Sequence, residues 1–251
     1  MIKYDVNCLV GHWPFRKMRK NSFDDLCLLH KEHGISAGFV ASLDSVFYND
    51  PLEGDRDLHK IIIGSNYHLA ATINPMLPAF CEDVDEAALK LSAKAVRVYP
   101  TYHGYDLDDA RFISLCEKLE QMNIPLFICG RLEDERLEYI IRPTPITLLK
   151  TVDLVKRFPH LKIVLLSFRK EELISIIDTL HNSENLFCDT SGLKNNLFSI
   201  EKAIALFGNH SLLFGSQWPL YCFTSTYLKA EDAHCTIEQK QSLYSLAETL
   251  L

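Results

Sequence analysis

No stretch of the chain comes near the roughly 20 consecutive apolar residues that a membrane span requires. Basic residues are in the minority, with 26 Lys and Arg against 33 Asp and Glu and a formal charge of −7. A nucleic-acid surface needs a concentrated basic face, and this balance argues against one. The eight cysteines include no Cys-x-x-Cys pair and no regular spacing. They read as reduced thiols, several of them core filler. Low-complexity runs, linkers and a convincing internal repeat are also missing, and the N-terminus shows no signal-peptide pattern. A cytoplasmic protein is expected.

What remains is a chain of 251 residues, 47% hydrophobic, long enough to bury one sizeable core. Short β-rich apolar runs recur at Tyr4–Leu9, Ile35–Leu43, Leu69–Asn74 and Ala93–Tyr99, then at Pro125–Cys129, Lys162–Ser167, Leu186–Thr190 and Leu212–Ser216. Amphipathic stretches lie between them, clearest at Phe23–Lys31, Leu107–Met122, Thr147–Arg157 and Lys170–Leu180. Eight alternations of this kind predict one α/β domain over residues 1–251, a (β/α)8 TIM barrel. An open doubly wound sheet is the runner-up, but no Gly-x-Gly-x-x-Gly turn supports a dinucleotide fold.

Barrel strands alternate inward and outward, and sites form where they run out at the C-terminal end. Parity places Asp5, Asn7 and Leu9 on one face of the first strand, with Cys8 opposite. It groups Arg97 with Tyr99, Cys129 with Arg131, Leu165 with Ser167 and Arg169, and Asp189 with Ser191, and it brings Gln217 in on the eighth strand. His12, Trp13, His103, Asp44 and Asn74 can lean in from loops. Three arginines at strand ends of an acidic protein point to a carboxylate or phosphate ligand, since guanidinium binds such groups bidentately. A small organic acid is the class expected. Arg131 and Arg169 have a competing reading, as rim ion pairs with Glu133, Asp134 or Glu171. Arg97 lies inside an apolar strand, where an unpaired charge is costly, and either binds a ligand or pairs with an internal Asp.

Two segments carry a family likeness. Asp5-Val6-Asn7-Cys8-Leu9-Val10-Gly11 resembles an Asp-x-His-x-His-x-Gly motif, and Phe214-Gly215-Ser216-Gln217-Trp218-Pro219 resembles Phe-Gly-Ser-Asp-x-Pro. Ile73-Asn74-Pro75, Lys94–Pro100, Asn123–Gly130, Phe158–Ser167 and Asn185–Gly192 follow in matching order. The chain thus resembles the amidohydrolase superfamily, specifically its amidohydrolase-related (amidohydrolase 2) branch. That resemblance implies one or two divalent metals held by four His and an Asp, with a metal-bound water as nucleophile. The corresponding positions here are Asn7, Leu9, Cys129, Ser167 and Gln217. Leu9 cannot ligate, the neutral oxygens suit zinc poorly, and an amide cannot act as a base. No metal and no other cofactor are therefore expected.

Two kinds of function follow. One is a metal-independent hydrolase or lyase acting on a small carboxylate. Its acid would be held by Arg97, Tyr99, Arg131, Arg169, Asn7, Cys129, Ser167, Gln217 and Trp218, and its base would be Asp189, His12 or His103. Asp189 has a competing role in fixing a strand end, and His12 one in packing a loop. A variant with Cys129 as nucleophile lacks a neighbouring histidine. The other is a binding or regulatory pseudoenzyme, and beyond that a structural subunit of a homo-oligomer.

Overall fold

The computed structural model describes residues 1–134, 144–193 and 198–251. Eight strands run in sequence order, each parallel to the next. They are β1 (Tyr4–Val10), β2 (Ala37–Ser42), β3 (Tyr67–Thr72), β4 (Ala95–Val98), β5 (Leu126–Cys129), β6 (Ile163–Leu166), β7 (Leu186–Asp189) and β8 (Leu212–Leu213). The ring is closed by backbone bonds across β8 and β1. Val6 N donates to Phe214 O at 2.9 Å, Gln217 N to Asn7 O at 2.7 Å and Leu9 N to Trp218 O at 2.8 Å. The result is a (β/α)8 barrel.

Helices alternate with the strands: α1 (Phe23–Glu32), α2 (Pro51–Ile62), α3 (Phe80–Leu89), α4 (Pro100–His103), α5 (Ala110–Met122), α6 (Leu149–Arg157), α7 (Lys170–Ile174), α8 (Ile177–Asn182), α9 (Ser199–Phe207), α10 (Phe223–Glu231) and α11 (Ile237–Ser245). Their starts are written in the sequence. Ser22 and Asp25 form a capping box on α1, Asp50 caps α2 ahead of Pro51, and Asp109 caps α5. Among the described residues, no helix is long and apolar enough to cross a membrane.

Two apolar layers follow from strand alternation. Inward residues such as Phe39, Ala70, Ala95, Phe127, Val164 and Leu213 fill the barrel. Outward residues such as Val40, Val96, Ile128, Leu165 and Phe214 pack under the helices. Three local departures from the sequence expectation bear on the site. The register of β1 against β2 slips between Asp5 and Cys8, so Val6 and Asn7 are both on the inner side and Asp5 joins Cys8 on the outer side. The stretch Lys170–Leu180 is two helices rather than one, and Ser175 Oγ at the break takes the Glu172 carbonyl at 2.6 Å. Strand β8 stops early because its next amides are diverted. Phe214 N binds Leu243 O, Gly215 N binds Thr190 Oγ1 and Ser216 N binds Asp5 Oδ1.

Candidate functional site

The strand ends bring Asn7, Arg97, Cys129, Ser167, Asp189 and Gln217 together, each at most 1% exposed. Asn7 is the hub. Its Oδ1 accepts from Arg97 Nη1 at 2.9 Å. Its Nδ2 faces Asp189 Oδ2 at 2.8 Å, Ser167 Oγ and Ser191 Oγ at 3.1 Å, and Gln217 Oε1 at 3.3 Å. Arg97 Nη2 reaches Cys129 Sγ at 3.5 Å, and Gln217 Nε2 donates to the carbonyls of Arg131 and Leu132 at 2.9 and 2.6 Å. The single amide of Asn7 therefore joins a buried guanidinium to a buried carboxylate.

Local backbone geometry aims these side chains. Ser167 and Gln217 have φ of 62° and 55°, left-handed values that cost a non-glycine residue on the order of 1–3 kcal/mol each. Leu165 is outward, and strict alternation would send Ser167 outward too; the left-handed turn brings it in. Gly215 makes room, because a Cβ there would lie 2.3 Å from Asp189 Oδ2. Burial raises the Asp189 carboxyl to about 6, against hydrogen bonds from Ser167 N, Asn7 and Ser191 and the charge of Arg97. Burial likewise raises the Cys129 thiol, with Arg97 opposing, so the sulfur is protonated at neutral pH.

A second feature lies beside the network. Thr72 pairs in register with Arg97, and Tyr99 stands two residues further along β4 with its ring 5.3 Å from the Arg97 guanidinium carbon. Arg97 Nε, Tyr99 OH and Thr72 Oγ1 are all buried without a hydrogen-bond partner. Thr72 is close enough to Tyr99 to pull its pKa down against the stronger effect of burial, yet neither hydroxyl has a partner of good geometry. Burial also lowers the pKa of His103. Its Nε2–H donates to Val46 O at 2.8 Å, which leaves Nδ1 buried as an unpartnered acceptor. The ring packs edge-on against Tyr99, centroids 5.9 Å apart.

Other expected residues lie elsewhere. Arg131 sits on the rim, bound to Ser167 O and to Glu172, each at 2.6 Å. Glu133 pairs instead with Arg16, which also bonds Leu220 O and so ties together the loops after β1, β5 and β8. Arg169 is exposed at the start of α7, with its amide on Glu172 Oε2. His12 is exposed and gives its backbone N–H to Asp44. The Trp218 side chain joins the outer apolar layer, whereas Trp13 and Tyr221 join the inner one. Sequence parity missed Thr72, whose only advance signal is its place before the Ile73-Asn74-Pro75 turn.

The five positions that the family likeness assigns to a metal do not fit a divalent cation. Leu9 lies in the inner apolar layer, and Asn7 turns its amide nitrogen, a donor, toward the oxygens around it. A buried cation already stands there, the Arg97 guanidinium against Asn7 Oδ1 and Cys129 Sγ, and it would repel a second one.

Comparison with known proteins places this geometry. The model of a family described as Amidohydrolase matches residues 67–245, well over half of the chain. The fold is similar to 5-carboxyvanillate decarboxylase from Sphingomonas paucimobilis, with TM-score 0.76, 14% identity and coverage of 99% of this chain and 98% of that one. It is similar to a dihydroxybenzoic acid decarboxylase from Polaromonas sp. solved with bound manganese, with TM-score 0.74, 15% identity and coverage of 99% and 96%. It is also similar to 4-oxalomesaconate hydratase from Rhodopseudomonas palustris, with TM-score 0.74, 15% identity and coverage of 99% and 95%. At such identities the likeness speaks for the fold. No curated protein matches the sequence.

Proposed function

The chain belongs to the amidohydrolase family, and from that premise we propose that it binds a small carboxylate at the barrel mouth without metal-hydroxide chemistry. The observation that carries this reading is the trio of buried, unpartnered donors Arg97 Nε, Tyr99 OH and Thr72 Oγ1. A buried donor left unsatisfied costs on the order of 1–3 kcal/mol, and a carboxylate offers acceptor sites for all three. It would also give Arg97 a direct counter-charge, which Asp189 now supplies only through Asn7. The names of the similar structures refer to carboxyvanillate, dihydroxybenzoic acid and oxalomesaconate, all carboxylic acids.

The test is thermal denaturation with formate, acetate, oxalate and benzoate against chloride at equal ionic strength. A saturable rise in Tm is expected for at least one acid, and Arg97→Met should abolish it. Tyr99→Phe, which keeps the ring, should weaken binding on the order of tenfold, the equivalent of one lost hydrogen bond. No rise with any acid, or a rise unchanged in both variants, would overturn the reading.

His103 favours a second reading, in which the bound acid is turned over as in a lyase. A neutral imidazole with a buried, unpartnered Nδ1 next to Tyr99 is placed to take a phenolic proton from a hydroxybenzoate and deliver it to the ring carbon, where the new C–H bond replaces the bond to the departing carbon dioxide. Asp189 is less available, since Ser167 N holds one oxygen and Asn7 the other. In chelator-treated protein, His103→Gln should abolish carbon dioxide release from an aromatic acid while keeping the acid-induced rise in Tm. Equal rates in the two proteins would discard this reading.

A further inference from the structure

We propose that Asp5, Cys8 and His30 form a zinc-binding site in the layer between β1 and α1, on the helix side of the barrel wall. The site is separate from the mouth and does not depend on the carboxylate reading. Asp5 and Cys8 are three residues apart and share the outer side of β1 only because the bulge between them adds a residue. His30, in the last turn of α1, meets them there. All three are buried, and one ligand atom from each lies within 4.8 Å of the others. His30 Nε2 and Asp5 Oδ2 are 3.4 Å apart. Two donors held tetrahedrally at about 2.0–2.1 Å from zinc stand about 3.3 Å apart. Apart from this contact with each other, neither atom has a hydrogen-bond partner, although both are fully enclosed.

The remaining valences are already oriented, as supporting groups around a metal site commonly are. Asp5 Oδ1 accepts from Asn7 N and Ser216 N, both at 3.0 Å, which leaves Oδ2 toward His30. His30 Nδ1 lies 2.9 Å from the Tyr67 hydroxyl; donating its proton there leaves the Nε2 lone pair for the metal. The Cys8 thiol points back at the Asp5 carbonyl at 3.4 Å, and burial holds its pKa well up. Zinc would replace that proton, as metal binding does at cysteine ligands generally. One carboxylate and one thiolate neutralise Zn²⁺, so the loaded site carries no net charge into the interior. Cys27, one turn before His30 on α1, is near enough for its charge to be felt at Cys8 but lies outside the cluster, so Asp5, Cys8 and His30 are the protein ligands and the fourth position is left to water. Gly38 keeps the neighbouring strand clear, since a Cβ there would stand 3.2 Å from Cys8 Sγ.

The experiment purifies the full chain in the presence of zinc, dialyses it against metal-free buffer and measures bound metal and Tm. Stoichiometric zinc and a Tm above that of the stripped protein are expected. Both should be lost in Cys8→Ser and in His30→Gln and kept in Cys129→Ser, which separates this site from the mouth. Cobalt substituted into the unmodified chain should show a thiolate-to-cobalt charge-transfer band, a readout independent of how any variant folds. Absence of zinc, absence of that band, zinc retained in both Cys8→Ser and His30→Gln, or zinc lost in Cys129→Ser would each overturn the proposal.

Discussion

Asn7 does with one amide what an ion pair would otherwise do directly. Its carbonyl takes the Arg97 guanidinium and its amino group serves Asp189, so two buried charges communicate through a neutral side chain. Removing that side chain strands both charges. Breaking a buried pair by deleting one member costs about 3–5 kcal/mol, and Asn7→Ala should lose stability on that scale in urea denaturation. A loss under about 1 kcal/mol would show that water replaces the amide freely. Much of this cluster could be read from the chain, because Arg97, Cys129 and Asp189 lie on regular strands whose alternation fixes their side. Ser167 and Gln217 are expected there too, but what brings them in is left-handed backbone and not strand alternation, and Asp5, expected on the inner face, leaves it at a bulge; a period of two encodes none of these. Arg169 continues past such a turn and ends at the surface.

At the level of elements, α2 docks on β3 through a carboxyl group. Asp55 accepts from Thr72 N at 2.6 Å and from Ser45 Oγ at 2.9 Å, fully buried. Burial lifts its pKa to about 7, opposed by those two hydrogen bonds. In the unfolded chain the group ionises near 4. The folded pKa is the higher one, so the stabilising contribution is complete below about pH 4 and is lost as pH rises toward 7. The loss expected at pH 8 relative to pH 4 is on the order of 2–4 kcal/mol. Asp55→Asn should flatten the pH dependence of denaturant-measured stability across that window; an unchanged slope would show that Asp55 ionises freely in the folded state. The element boundaries themselves were legible where caps and apolar periods agree, as at Ser22 and Asp109. They failed where a side chain intercepts a backbone group, as at Ser175 and at the end of β8. The sequence gives no periodic sign of such an interception.

Across the whole molecule, the barrel is two concentric apolar layers whose polar centre sits at one end. Its weakest join by count of strand residues is β8, yet the bonds across to β1 are short, at 2.7–2.9 Å. The amides of Val6, Leu9 and Gln217 should therefore exchange hydrogen only with global unfolding, at rates matching those of β4 and β5. Markedly earlier exchange at those three amides would mean that the ring opens at the seam while the remainder stays folded. The seam also fixes how the protein answers mechanical force. Because β1 and β8 are parallel, tension on the start of one and the end of the other slides the strands lengthwise. The bridging bonds then carry load together, not in succession, so the first and last strands act as a clasp against stretching once the helices after β8 have peeled away.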